Sequence, residues 1–205
     1  MGILKYINFE YYGVTGYVYS LVCFFVPNII WQIFSINKLE DKIKIRSYLI
    51  LTIIFMFYCY CAVEVFAEMG TFWNFIKFRE LKGNIFLVPF CVTELTSHIL
   101  NVVMFIPLGF LVPFLWSNYR KMHKVAFVGF LMSLSIEVCQ LFCYRISDVN
   151  DLITNTLGSI IGFVIWKAFQ SIVYNIGEET LKIGKYDPII YILLGMLGIF
   201  GLFVF

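Results

Sequence analysis

Six apolar segments of about bilayer length divide this chain: 14–34, 48–66, 99–116, 125–143, 152–169 and 189–205. A helix needs about 20 residues to cross a hydrocarbon core. Backbone amides find no water in lipid, so each segment must satisfy its own hydrogen bonds, and helices do that. The alternating ten-residue strands of a membrane barrel are not seen. The expected fold is all-α, a polytopic transmembrane helix bundle in a single domain over 1–205. Glu64 interrupts the second segment near its end, and the last segment is short and holds Gly195, Gly198 and Gly201. Five spans is therefore the alternative to six.

Composition agrees with a membrane solvent. Of the 205 residues, 61% are hydrophobic and 14% charged, against about a quarter charged in soluble domains. A net charge of +2 is too small to draw nucleic acid. The six cysteines show neither CxxC nor zinc spacing with histidine, and they read as small apolar packing residues. The N-terminus lacks the order of a cleaved signal, so the first segment is expected to stay in the mature protein.

The basic residues set the expected orientation. Lys38, Lys42, Lys44, Arg46, Arg120, Lys121, Lys124, Lys167, Lys182 and Lys185 lie in alternate connections and make up ten of the 15 Lys and Arg. Lys5, Lys77, Arg79, Lys82 and Arg145 lie on the other side. The positive-inside rule places the larger set in the cytoplasm. Residues 67–98 and 144–151 then face outward.

On that topology the polar residues gather at one level. Glu137 is the sole charge in 125–143, and an acid in a membrane helix costs several kcal/mol unless paired or wetted. It lies about 9 Å below the end of that segment at 1.5 Å per residue. Ser133, Glu137, Gln140 and Tyr144 fall on one helical face. Asp151 and Asn155 share another, and Glu94, His98 and Asn101 repeat the pattern upstream. Three polar stripes can line one outward cavity. Each piece also has a structural reading. Asp148 or Asn150 suits a helix cap, and Asp151 suits a helix dipole. Arg145 suits a loop-fixing pair with Asp148 or Asp151, an ion pair with Arg145 is the structural reading of Glu137, and Asn101 and Asn155 suit interhelical hydrogen bonds. Pro107 frees the carbonyl of Val103. Gly158 and Gly162 form a GxxxG, which lets helices approach closely.

With those residues in view, the chain resembles the VanZ-like family of bacterial membrane proteins. Three blocks carry the likeness: Asn101-Val-Val-Met-Phe-Ile-Pro107-Leu-Gly109-Phe, Ser133-Leu-Ser-Ile-Glu137-Val-Cys-Gln140, and Arg145-Ile-Ser-Asp148-Val-Asn-Asp151-Leu-Ile-Thr-Asn155-Thr-Leu-Gly158. The likeness covers about 88–166. It departs at Phe86-Leu87-Val88-Pro89-Phe90, where the family often opens with Asn; Asn84 lies two residues earlier. The resemblance implies a role at the bacterial cell envelope and low-level teicoplanin resistance, with ligand-binding positions at Asn101, Glu137, Gln140, Arg145, Asp148, Asp151 and Asn155.

Three functions compete on the sequence. The first is an outward polar site at the outer leaflet that meets membrane lipids, a lipid-linked envelope ligand or a lipoglycopeptide. The second is a membrane enzyme acting on a polyprenyl-linked or phospholipid headgroup, with Glu137 as the candidate catalytic acid or base. In that reading Asp148 and Asp151 are weak metal candidates, with Asn155 beside them, for a phosphate-bridging Mg²⁺. The third is a small proton-coupled transporter titrating Glu137. No cofactor is indicated by the sequence.

Overall fold

The computed structural model describes residues 9–36, 42–69, 71–73, 76, 84–86, 95–142, 146–172 and 186–202. Each apolar segment becomes a helix: α1 (Phe9–Ile36), α2 (Lys42–Tyr60), α3 (Leu95–Leu115), α4 (Met122–Gln140), α5 (Val149–Ile172) and α6 (Asp187–Leu202). Among the described residues five helices are long and apolar enough to cross a membrane, and α6 is a shorter apolar helix. At the end of α2 the backbone widens into a π-helical turn, Cys61–Phe66. Among the described residues, the all-α reading gains a pair of three-residue strands, β1 (Asn84–Phe86) and β2 (Ile146–Asp148), joined in parallel with Ile85 opposite Ser147.

The surface of this bundle is apolar, and polar residues lie inside it beside the hydrophobic core. Val18, Ile30, Ile53, Phe57, Val103, Phe127, Val138, Leu157 and Ile165 face outward, while Asn28, Gln32, Thr52, Ser133, Asn155 and Asp187 are buried. Water would reverse that pattern; hydrocarbon favours it, because polar groups must find partners inside the bundle. The chain is a multi-pass membrane protein.

Two helix pairs make the closest contacts. In α3–α5, a Cβ on Gly109 would meet the backbone of Ser159, one on Gly158 the carbonyl of Val102, and one on Gly162 the carbonyl of Ile106. The GxxxG is thus a backbone-to-backbone contact against α3, which runs unbroken through Pro107 and Pro113. In α1–α6, Gly195 lies against the ring of Phe24 and Gly198 against the Cys23 carbonyl. Helix α2 packs on α1, α3 and α6, and α4 packs on α5, α3 and α6. Phe55, Phe105, Leu108, Trp116, Met132 and Tyr191 fill the centre. The Tyr58 hydroxyl donates to the Met104 carbonyl at 2.8 Å, next to the carbonyl that Pro107 frees.

A polar network closes the bundle at the end where α6 begins. Asp187, 2% exposed, accepts from the Tyr48 hydroxyl at 3.0 Å and the Trp31 indole at 3.4 Å. The Tyr48 hydroxyl also meets that of Tyr191 at 2.7 Å, and the Gln32 amide donates to Thr52. Three helices are joined by residues unremarkable within any one of them. Removing one partner of a buried hydrogen bond costs about 1–3 kcal/mol. Tyr48→Phe is therefore expected to lower the melting temperature of the detergent-solubilised protein, and an unchanged melting curve would show that the network carries no stability.

Candidate functional site

The opposite end of the bundle holds the sequence-predicted polar residues. Helix α4 ends at Gln140, sooner than the apolar segment does. Glu137 is therefore three residues from the helix end, about 4.5 Å rather than 9 Å. The turn 141–142 leads toward β2, and β2 returns over the end of α4. That return creates the Glu137 environment. The Ser147 hydroxyl donates to Glu137 Oε2 at 2.8 Å, and the Asp148 amide donates to the same oxygen at 3.0 Å. Ser147 also reaches the Glu137 carbonyl at 3.2 Å. Glu137 is 7% exposed, and the Asp151 and Asp148 carboxylates are near enough to act on it electrostatically.

Asp148 caps α5. Its Oδ1 accepts the Asn150 amide at 2.9 Å and its Oδ2 the Asn150 side-chain amide at 3.2 Å. A carboxylate one residue before a helix satisfies the second helical amide in this way. The capping reading of Asp148 thus holds, with Asn150 as its partner.

Asp151 and Asn155 extend the site down α5 toward α3 and α4. The Asn101 amide donates to Asp151 Oδ1 at 2.6 Å. The Asn155 amide donates to the Ser133 hydroxyl at 2.9 Å, and Ser133 lies 3.5 Å from the Asp151 carbonyl. Three helices meet through these four side chains, as interhelical hydrogen bonds. Gln140 stands apart: its amide donates at 2.7 Å to the Ala67 carbonyl, just past the π turn of α2. Arg145, Tyr144 and Glu94 lie outside the described residues. Among the described residues no three His, Cys, Asp or Glu side chains converge as metal ligands, and Asp148 has both oxygens engaged by Asn150.

Two residues here were not singled out from sequence. Nothing local in the sequence marks Ser147 as the Glu137 partner. Glu64, 7% exposed on the π turn, carried the same signal as Glu137, an acid within an apolar segment, and was read as an imperfection of the span.

A model of the family described as VanZ/LLP1 matches residues 14–170. The match begins well before residue 88, so the first two helices fall inside it, although the sequence blocks had left them without likeness. Protein VanZ of Enterococcus faecium is 31% identical over 121 residues, 58% of this chain and 69% of that relative. No solved structure matches the chain significantly. The matched span contains α1 to α5 nearly whole together with every polar residue of the Glu137 end, and the chain belongs to the VanZ/LLP1 family.

Proposed function

We propose that the Glu137 end faces out of the cell and recognises a membrane-borne envelope ligand, a lipoglycopeptide such as teicoplanin or a lipid-linked precursor, so that the protein gives low-level teicoplanin resistance. The observation that carries this reading is the position of Glu137. Its carboxylate lies one helical turn inside the bundle end, covered by β2 and beside Asp148 and Asp151, at the depth where headgroup and acyl chain meet. All Lys and Arg among the described residues (Lys42, Lys44, Arg46, Arg120, Lys121, Lys124 and Lys167) lie at the other end, which supports an outward Glu137. Likeness to a protein named VanZ supports the resistance role.

Expression of the wild-type chain in a susceptible Gram-positive host tests the reading. Teicoplanin inhibition should weaken relative to an empty vector while vancomycin inhibition stays the same. Equal shifts for both drugs, or none, would contradict it.

Sidedness has its own test. Ser97, exposed in the first turn of α3, and Ser171, exposed in the last turn of α5, mark the two ends. In a background lacking the native cysteines, a membrane-impermeant maleimide on intact cells should label Ser97→Cys and leave Ser171→Cys untouched until lysis. The reverse pattern would invert the orientation.

One observation favours the enzyme as a second reading. Both described donors to the Glu137 carboxylate go to Oε2, which leaves Oε1 for another partner. A carboxylate held by one oxygen and open at the other suits general acid–base chemistry on a headgroup. Turnover of lipid phosphates by purified protein, lost in Glu137→Gln, would establish it; a protein without such turnover would remove it.

A further inference from the structure

We infer, resting on the reading of Glu137 as the working group of this end, that Ser147 is a positioning residue whose single hydroxyl proton serves two acceptors on Glu137 in turn, so that the Glu137 carboxyl takes up and releases a proton without moving. Ser147 Oγ lies 2.8 Å from Glu137 Oε2 and 3.2 Å from the Glu137 carbonyl. A serine hydroxyl carries one proton and two acceptor lone pairs, and it rotates to suit its partners. It donates to one of these oxygens at a time, and both belong to the same residue.

Each acceptor calls for the proton in one state of Glu137. The last carbonyls of a helix have no intrahelical amide, and α4 ends at Gln140, so the Glu137 carbonyl is one of them. The Leu141 amide, which would have continued the ladder to it, turns to the Cys139 carbonyl instead. When Glu137 is ionised, its carboxylate makes the stronger claim, because a hydrogen bond to a charged oxygen is about twice as strong as one between neutral groups. Ser147 then donates to Oε2 beside the Asp148 amide, which lies 3.0 Å from the same oxygen. When Oε2 is protonated, the carboxyl becomes the donor, to Ser147 Oγ, and the Ser147 proton turns to the carbonyl. The O–H bond of Ser147 is never broken. The incoming proton leaves an O–H or N–H group of the ligand, whose bond breaks as the Oε2–H bond forms.

The surroundings hold Ser147 in place and leave its hydroxyl to turn. Ile85 stands opposite it in the strand pairing, Asp148 is tied through both oxygens to Asn150, and Ser147 is buried. Under that cover a group left without a partner carries its full desolvation cost, and the turning hydroxyl avoids that cost in both states of Glu137. Partners already in place remove the reorganisation that a change of charge otherwise requires. Among the described residues the charged groups that act on Glu137 are Asp151 of α5 and Asp148 of β2. Helix α3 reaches this level with the uncharged Asn101, bonded to Asp151, and His98 is not among the groups that act on Glu137. The end of α2 and α6 meet the end of α4 and its turn through the Ala67 carbonyl and the Phe200 ring. Both states use Oε2 and the carbonyl alone, so they hold whatever meets Oε1.

The test is infrared spectroscopy of the full chain in lipid membranes, with glutamate isotopically labelled at its backbone carbonyl carbon, as the sample is acidified through the Glu137 titration. Subtracting the spectra of Glu137→Gln isolates the bands of residue 137. In the wild type the labelled Glu137 carbonyl band should move to lower frequency on acidification, as the Ser147 proton arrives on it. Ser147→Thr keeps a hydroxyl and should show the same movement. Ser147→Ala should show none, and its protonated Glu137 carboxyl should absorb at higher frequency than in the wild type, for want of Ser147 Oγ as acceptor. A hydroxyl that only fixed the strand would leave the wild-type carbonyl band still, and that result overturns the inference. So does a Ser147→Ala protein whose carbonyl band moves as in the wild type. The bands decide Ser147 apart from resistance, since a wild type without teicoplanin protection removes the resistance reading and leaves their movement to be read. Where the wild type protects, Ser147→Thr should keep the protection and Ser147→Ala should lose it, and a fully protective Ser147→Ala would contradict the role.

Discussion

Gly162→Leu is expected to abolish the fold. A Cβ at Gly162 would run into the Ile106 carbonyl and stand 2.9 Å from both the Gly109 Cα and the Phe110 amide nitrogen. These are backbone atoms, so no rotamer change makes room, and α3 must separate from α5. Gly109 and Gly158 lie in the same interface with comparably close neighbours, so separation at one point loosens all three. Overpacking a single core position costs about 1–3 kcal/mol, and more where the backbone cannot move. Gly162→Ala already brings the clashing Cβ and should reach at least the upper part of that range. Gly162→Leu should give no monodisperse peak in size-exclusion chromatography. Gly201→Ala is the control, since nothing lies within 4 Å of the added carbon. A normally eluting Gly162→Leu protein would mean that α3 and α5 do not pack through their backbones.

Glu137→Gln and Asp151→Asn are expected to reduce teicoplanin protection to the empty-vector level while leaving protein abundance unchanged. Each replacement keeps an oxygen where the carboxylate had one. Gln at 137 can still accept from Ser147 and the Asp148 amide, and Asn at 151 can still accept from Asn101. The described hydrogen bonds survive and the charge goes, so lost protection at unchanged abundance would report chemistry rather than unfolding. Glu137→Ala differs, because it strands the Ser147 hydroxyl and the Asp148 amide inside the bundle, at about 1–3 kcal/mol. Reduced abundance is expected for that variant alone.

The helices were legible because bilayer thickness imposes a length that apolar runs display directly. Their ends were less so. Helix α2 takes in Lys42, Lys44 and Arg46, since charged side chains at an interface do not oppose helix formation. Helix α4 stops at Gln140 because the chain must turn to bring Ser147 back to Glu137. The β1–β2 pairing left no trace in sequence, as parallel strands with α3 and α4 between them carry no local signal. That Asn101, Asp151 and Asn155 lie at one level was legible from spans and helical spacing, whereas the partners they take, Asn101 with Asp151 and Asn155 with Ser133, were not. The Tyr48–Asp187–Trp31 network was not, because it joins one or two residues from each of three helices that are far apart in sequence. Glu64 was visible as an acid in an apolar run, and the π turn that carries it is not anticipated by helical periodicity.

The central claim, that the carboxylate of Glu137 does the work of this family member at the outer membrane surface, meets its most direct test in growth inhibition by teicoplanin and vancomycin, side by side, for wild type and Glu137→Gln at matched membrane levels. Selective teicoplanin protection by the wild type, absent in Glu137→Gln, is the predicted result; a Glu137→Gln protein as protective as the wild type would contradict it.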